Sequence, residues 1–205
     1  MKKNMPKFDE IDILRVFLKV NKFPGRKQLA AELDIGEGSL RSILDILKKK
    51  RLLESNYQGH KLSKTGEKKF NEIKEYLSFK ENVSLDFCTG KSALTCKLTN
   101  VKEIKSIISL RDLAVRQGAD GALILKFDGN RLCFPDFEYN NKDIMHFAQE
   151  FNLKKGDLII LVWSDKDNIT ERAMLIIGGL LNTLIRGFLE EFKTYQKKMS
   201  RTAGY

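Results

Sequence analysis

Three apolar stripes at helical spacing, each stopped by a short break, crowd into residues 11 to 47 and confine this stretch to short helices that must pack on one another. Ile11, Leu14, Val16, Phe17, Leu18 and Val20 follow Asp9, a suitable N-cap, and the pattern stops at Asn21-Lys22-Phe23-Pro24-Gly25. A second helix is predicted from about Arg26 to Leu33, with Leu29, Ala30 and Leu33 inward and a break at Asp34-Ile35-Gly36. The third runs from about Glu37 to Lys50 on the stripe Leu40, Ile43, Leu44 and Leu47. Small Ala30 permits the second helix to approach the third, and Gly36 is expected to make the tight turn between them.

Leu52–Ser55 and His60–Ser63 then read as two short strands around Asn56-Tyr57-Gln58-Gly59, and a fourth helix starts near Thr65 with Phe70, Ile73 and Leu77 inward. From about residue 82 strand and helix signals alternate. Ser92–Leu98 reads as a strand, Val101–Gln117 as a helix, and Gly121–Phe127 and Arg131–Phe134 as strands flanking the hairpin turn Asp128-Gly129-Asn130. Asp143–Phe151 looks helical, Asp157–Trp163 is an apolar strand, and Thr170–Phe192 is expected to be one long helix capped by Asn168 or Thr170. The fold class is therefore α+β: an N-terminal domain, residues 1–80, in the order helix, helix, helix, hairpin, helix, followed by a mixed α/β domain, residues 81–205, with a long apolar last helix.

Charge points to a partner for the first of these. Residues 1–80 carry 19 Lys+Arg against 11 Asp+Glu, whereas residues 81–205 carry 18 against 16, so most of the formal net charge of +10 lies in the helix-rich part. A cationic surface of this kind favours a polyanion. The outward face of the third helix holds Glu37, Gly38, Ser39, Arg41, Ser42 and Asp45, with Lys48 and Lys49 near its end.

The stretch from Leu29 to Leu47, with Gly-Glu-Gly-Ser-Leu-Arg at 36–41 and Ser63-Lys64-Thr65-Gly66 opening the fourth helix, resembles archaeal winged helix-turn-helix transcriptional regulators over about residues 8–77. The resemblance implies double-stranded DNA as the partner. On that reading Arg41 forks onto guanine O6 and N7 in the major groove, and Ser39 and Ser42 take base or phosphate acceptors. Arg26, Lys27, Lys48 and Lys49 contact phosphates, and the wing tip, with Tyr57, Gln58, His60 and Lys61, lies along the backbone or in the neighbouring minor groove. The family often has Gly where this chain has Lys50-Arg51; a left-handed conformation at Arg51 would cost about 1 kcal/mol relative to Gly and leaves the exit angle of the wing open.

The C-terminal half looks like the uncharacterised domain attached to some of these regulators, carried by the segment from Arg111 to Leu123, which is also similar to the helix-to-hairpin step of small profilin-like sensor and dimerisation domains. Arg111, Asp112, Arg116 and Asp120 are the candidate pocket for an anionic small-molecule effector, with ion pairs on a solvated helix as the plainer alternative. Asp165 and Asp167 follow a buried strand, a common ligand position in α/β domains, and more simply form a turn and cap. The apolar run Ala173–Ile185, between Arg172 and Arg186, is too short to span a bilayer and reads as a core helix, part of which can instead form a homodimer contact.

No nucleophile and base pair, metal set or cofactor motif is recognisable. Cys88, Cys96, Cys133, His60 and His146 lack ligand spacing, and Cys-Thr-Gly-Lys at 88–91 lacks the full phosphate-loop pattern. The expectation is a dimeric, cytoplasmic, non-enzymatic regulator. A small-molecule enzyme with a regulatory winged helix and a protein-interaction winged helix are the alternatives.

Overall fold

Asp9 and Asp12 cap the first helix from both directions, and the rest of the N-terminal layout follows from where such caps fall. In the computed structural model, which describes residues 8–23, 25–81, 88, 91–134 and 151–202, α1 spans Glu10–Lys19. The Asp9 carboxylate accepts from the amides of Ile11 and Asp12, each at 3.0 Å, while Asp12 accepts from the Asp9 amide at 3.2 Å. Such a reciprocal cap satisfies amides that the helix itself leaves open.

Helix α2 (Arg26–Leu33) and α3 (Glu37–Lys49) follow as expected. The turn between them does not depend on Gly36, whose φ is −59°. Asp34 makes it instead, at φ 52°, with its amide on the Ala31 carbonyl and the Ile35 amide on that of Ala30. Arg51 ends α3 in the same way at φ 57°, the conformation in which glycine would carry no penalty: its amide bonds Lys48 and the Leu52 amide bonds Leu47.

That turn leads into a hairpin of β1 (Leu53–Asn56) and β2 (Gly59–Leu62). The Leu62 amide donates to Asn21 Oδ1 at 3.0 Å, which ties the hairpin to the end of α1. Helix α4 (Lys64–Tyr76) then begins at Ser63, whose hydroxyl accepts from the Gly66 amide and donates to the Arg51 carbonyl. Gly66 has a steric reason to be glycine, because a Cβ there would lie 2.0 Å from the Leu52 carbonyl oxygen. Leu77 is not part of this helix; it opens the strand β3 (Leu77–Glu81).

The chain forms two compact units, residues 1–73 with 187–205 and residues 74–186. This differs from a 1–80/81–205 division, and the reason is aromatic. Phe17 of α1 lies edge-on to Phe70 of α4, with centroids 6.3 Å apart, and 5.2 Å from Phe188, which itself stacks at 4.7 Å on Phe192. Phe188 and Phe192 belong to the final helix, so residues from the far end of the chain close the core under the first three helices. Lys50–Glu191 at 2.7 Å and Lys193–Glu10 at 3.9 Å border that contact.

The second unit is built on an antiparallel sheet in the order β3-β4-β7-β5-β6, with β4 (Ser92–Leu98), β5 (Gly121–Phe127), β6 (Leu132–Cys133) and β7 (Leu158–Ser164). The central strand β7 is apolar from Leu158 to Trp163 and almost wholly buried, as a strand covered on both faces must be. Gly129, at φ 113°, turns β5 into β6 as Asp128-Gly129-Asn130 suggested. Helix α5 (Ile107–Arg116) packs on β5, and α6 (Asp167–Leu181) on β4, β7 and α5. The helix expected over Asp143–Phe151 falls almost entirely outside the described residues.

Two helix expectations need correction. Helix α5 starts at Ile107 rather than Val101, because the Ser106 hydroxyl accepts from the Ser109 amide and sets the start there. The long last helix is two helices, α6 and α7 (Thr183–Thr202), separated by Asn182 in extended conformation. The buried Asn182 side chain accepts from the amides of Leu184 and Ile185 and donates to the Thr99 carbonyl at 3.0 Å, so the break is fully hydrogen-bonded. Asn168 and Thr170 do not cap α6; both lie inside it, and Thr170 Oγ1 donates to the Asp167 carbonyl. No single described helix is long and apolar enough to cross a membrane.

Candidate nucleic-acid interface

Helix α3 is two-sided. Leu40, Ile43, Leu44, Ile46 and Leu47 are buried, while Glu37, Gly38, Arg41, Asp45 and Lys49 are exposed and Ser39, Ser42 and Lys48 half-buried. The open side thus runs from Glu37 and small residues at the first turn, through Arg41 and Asp45, to lysines at the last, where the negative end of the helix dipole favours them. A Cβ built at Gly36 or Gly38 would meet nothing within 4 Å, so packing among the described residues gives no reason for glycine at either position.

Several of the polar groups already have internal partners. Ser42 Oγ donates to the Gly38 carbonyl at 3.1 Å, so its proton must leave the helix backbone before it can serve a base or phosphate. Lys48 lies 3.9 Å from Asp45, and Lys61 on β2 lies 3.9 Å from Glu54 across the hairpin. Exposed pairs this long contribute about 0–1 kcal/mol, and a phosphate can replace the carboxylate in either.

His60 joins the wing to the helices. Its Nδ1 is 2.7 Å from Ser55 Oγ on the opposite strand, and the half-buried ring feels the charges of Lys48 on α3 and Arg26 on α2. Burial, then Lys48, then Arg26 push its pKa below the usual histidine range, with Asp45 opposing. Arg26, Lys48 and His60, drawn from three separate elements, therefore share one neighbourhood of positive potential. Lys27 is exposed on the same first turn of α2 as Arg26. At the hairpin tip Tyr57 is 94% exposed, beside Gln58, whose amide donates to Asn56 Oδ1 at 2.9 Å.

The suggested effector residues are arranged differently. Arg111, Asp112 and Arg116 lie exposed along α5. Asp120 turns to Lys91 at 3.3 Å, and Lys91 also bonds Asp165, while Ser92 bonds Asp167. The carboxylates of Asp165 and Asp120 hold the Lys91 ammonium above the usual lysine range. Asp165 and Asp167 thus latch the start of β4 to the loop after β7 and the first turn of α6, a partner for Lys91 that spacing along the chain did not reveal. Among the described residues no three His, Cys, Asp or Glu are grouped to hold a metal ion. Cys96 is fully buried, and burial pushes its thiol far above the range in which a thiolate forms.

With this geometry in place, likeness to other proteins becomes informative. The chain resembles an uncharacterised archaeal protein over most of its length. That protein is described as "Hypothetical protein PH0730 from Pyrococcus horikoshii OT3"; its solved structure is 26% identical, superposes with a TM-score of 0.75, and matches 89% of this chain and 100% of its own. Residues 10–68 match a family model described as "PH0730-like, N-terminal domain", and residues 88–179 match "Domain of unknown function (DUF4443)". No curated protein matches. These likenesses agree with a winged-helix-like N-terminal module joined to an α+β domain.

Proposed function

We propose that this protein is a DNA-binding transcription regulator, not an enzyme, which inserts α3 into the major groove of a duplex, steadies itself on flanking phosphates with the β1–β2 wing, and works as a homodimer through its residue 74–186 unit. The carrying observation is the open side of α3: a helix held by five buried apolar residues presents a small-residue first turn, Arg41 and two lysines to solvent. Gly38 adds weight. In a helix glycine costs roughly 0.5–1 kcal/mol relative to alanine, and among the described residues no close packing repays that cost. A surface that must come close to its helix backbone does.

Sequence would be read chiefly by Arg41, whose planar fork matches guanine O6 and N7. Arg26, Lys27, Lys48, Lys49 and Lys61 would set position through phosphates, with Tyr57 and His60 from the wing. With four or five such contacts, log affinity should fall with log salt at a slope of about −4. The test is duplex binding by fluorescence anisotropy across a salt series, with the Gly38→Leu variant alongside. The expected result is a steep salt dependence for the wild type and loss of binding by at least about tenfold in Gly38→Leu, which should fold normally. Salt-independent binding, or an unaffected Gly38→Leu, would reject the groove-inserted helix.

A further inference from the structure

The exposed apolar side chains of the described second unit are few, and two of them share a helix with two opposite charges. Ile108 is 70% exposed and Val115 46%, and between them stand exposed Arg111 and Asp112. At 3.6 residues per turn these four fall within an arc of about 100° on α5, spread along roughly 10 Å of its axis. The opposite side, with Leu110 and Ala114, is buried. The exposed side is therefore an apolar-cation-anion-apolar stripe that no described residue of its own unit covers.

That order is self-complementary. Laid antiparallel on a copy of itself about a two-fold axis between residues 111 and 112, the helix sets Ile108 over Val115 of the second copy and Arg111 over Asp112 of the second copy, and each pairing occurs twice. Isologous contacts require this reciprocity, and a surface chosen only for solvation does not. The apolar stretch Ala173–Ile185, read as a core helix with a dimer contact as the alternative for part of it, is consumed within its own unit: Ala173, Met174, Leu175, Ile177, Gly178, Gly179 and Leu181 are buried. Leu180, 45% exposed, is what remains open there, and the neighbouring Leu181 carbonyl bonds the Lys102 amide in the segment leading to α5.

We infer that the protein self-associates through antiparallel packing of α5 against α5 of a second copy, with Ile108 and Val115 as the apolar contacts and Arg111 and Asp112 as reciprocal ion pairs. This rests on the reading of the protein as a homodimer and specifies its surface. Arg111 and Asp112 thereby serve assembly and not an effector. A contact centred on one short helix is small, so association is concentration-dependent.

Charge reversal tests it, by sedimentation equilibrium of the full chain without DNA. In Arg111→Asp, two aspartates face two aspartates across the axis; in Asp112→Arg, two arginines face two arginines. Each variant should be monomeric at concentrations where the wild type is dimeric. An equimolar mixture of the two should form a heterodimer, and the double variant, which restores opposite charges in swapped order, should dimerise again. Ile108→Asp should be monomeric. All four positions are exposed, so folding is retained, and circular dichroism checks this. Dimers that persist in both single variants, or single variants that fail to associate when mixed, overturn the α5 surface. A wild type that stays monomeric at all concentrations overturns the homodimer itself, leaving the DNA-binding reading to be judged by anisotropy.

Discussion

Helices α3 and α6 are of similar length, 13 and 15 residues, and both are rich in Leu and Ile, yet the chain uses them in opposite ways. Every apolar residue of α3 goes to one side and its charges to the other. Apolar residues of α6 point in nearly all directions, and the sheet, α5 and its own neighbourhood cover most of them. A helix covered on most sides has little surface left with which to recognise anything, so its substitution should register as stability. A helix covered on one side can lose any exposed residue without unfolding, so its substitution should register as binding.

The largest effect that would sharpen this contrast is in α6. Met174→Ala should destabilise the protein by about 2–5 kcal/mol in urea unfolding, by lost burial and an unfilled cavity, while duplex affinity of the folded fraction stays the same. Arg41→Ala should do the reverse: stability within about 0.5 kcal/mol of wild type, but discrimination among operator bases reduced by about 1–3 kcal/mol in competition binding. A stability loss of several kcal/mol for Arg41→Ala, or a base preference left intact, would break the contrast.

A smaller effect lies at the end of α3. Arg51 holds φ 57° in a turn where glycine carries no Cβ penalty, so Arg51→Gly should raise the unfolding free energy by about 1 kcal/mol. The smallest concerns His60. Its folded pKa is below the unfolded value near 6.5, so above that pH the neutral ring is accommodated at no cost. As pH falls through 6.5 toward the folded pKa, the unfolded chain binds the proton more readily and stability drops. An NMR titration should give a His60 midpoint below 6.5, and Lys48→Ala should raise it by removing the positive charge that lowers it more. An unchanged midpoint in that variant would separate Lys48 from the wing.

How much of this could be read in the chain depends on whether the signal was local. Helices α1 to α3, the wing and the Asp128-Gly129-Asn130 turn were legible because periodicity, caps and glycine act within a few residues. Leu77 was misplaced because its spacing from Phe70 and Ile73 continues the helical pattern into a strand whose pairing with β4 is not local. The break at Asn182 was hidden inside an apolar run. One cue was present, since a lone asparagine amid Leu, Ile and Gly must bond something when buried, and here it bonds the next helix and Thr99. Nothing in the sequence pairs Phe17 with Phe188 and Phe192 across some 170 positions, so the return of the last helix to the first unit could come only from tertiary structure.

For the candidate interface, residue types were legible and partners were not. The lysines and Arg41 stand out along α3, but the Ser42 bond to Gly38, the carboxylates beside Lys48 and Lys61, and the meeting of His60 with Arg26 and Lys48 depend on geometry between elements.

The most direct test of the account is the change in amide chemical shifts when a short duplex containing a bound operator is added to the labelled protein at low salt. The account predicts shifts concentrated in residues 37–49 and at the wing residues 56–61, with the Arg41 side-chain resonance among the most affected and α6 silent. Saturable binding that leaves α3 unmoved would contradict it, and so would shifts gathered in the sheet unit.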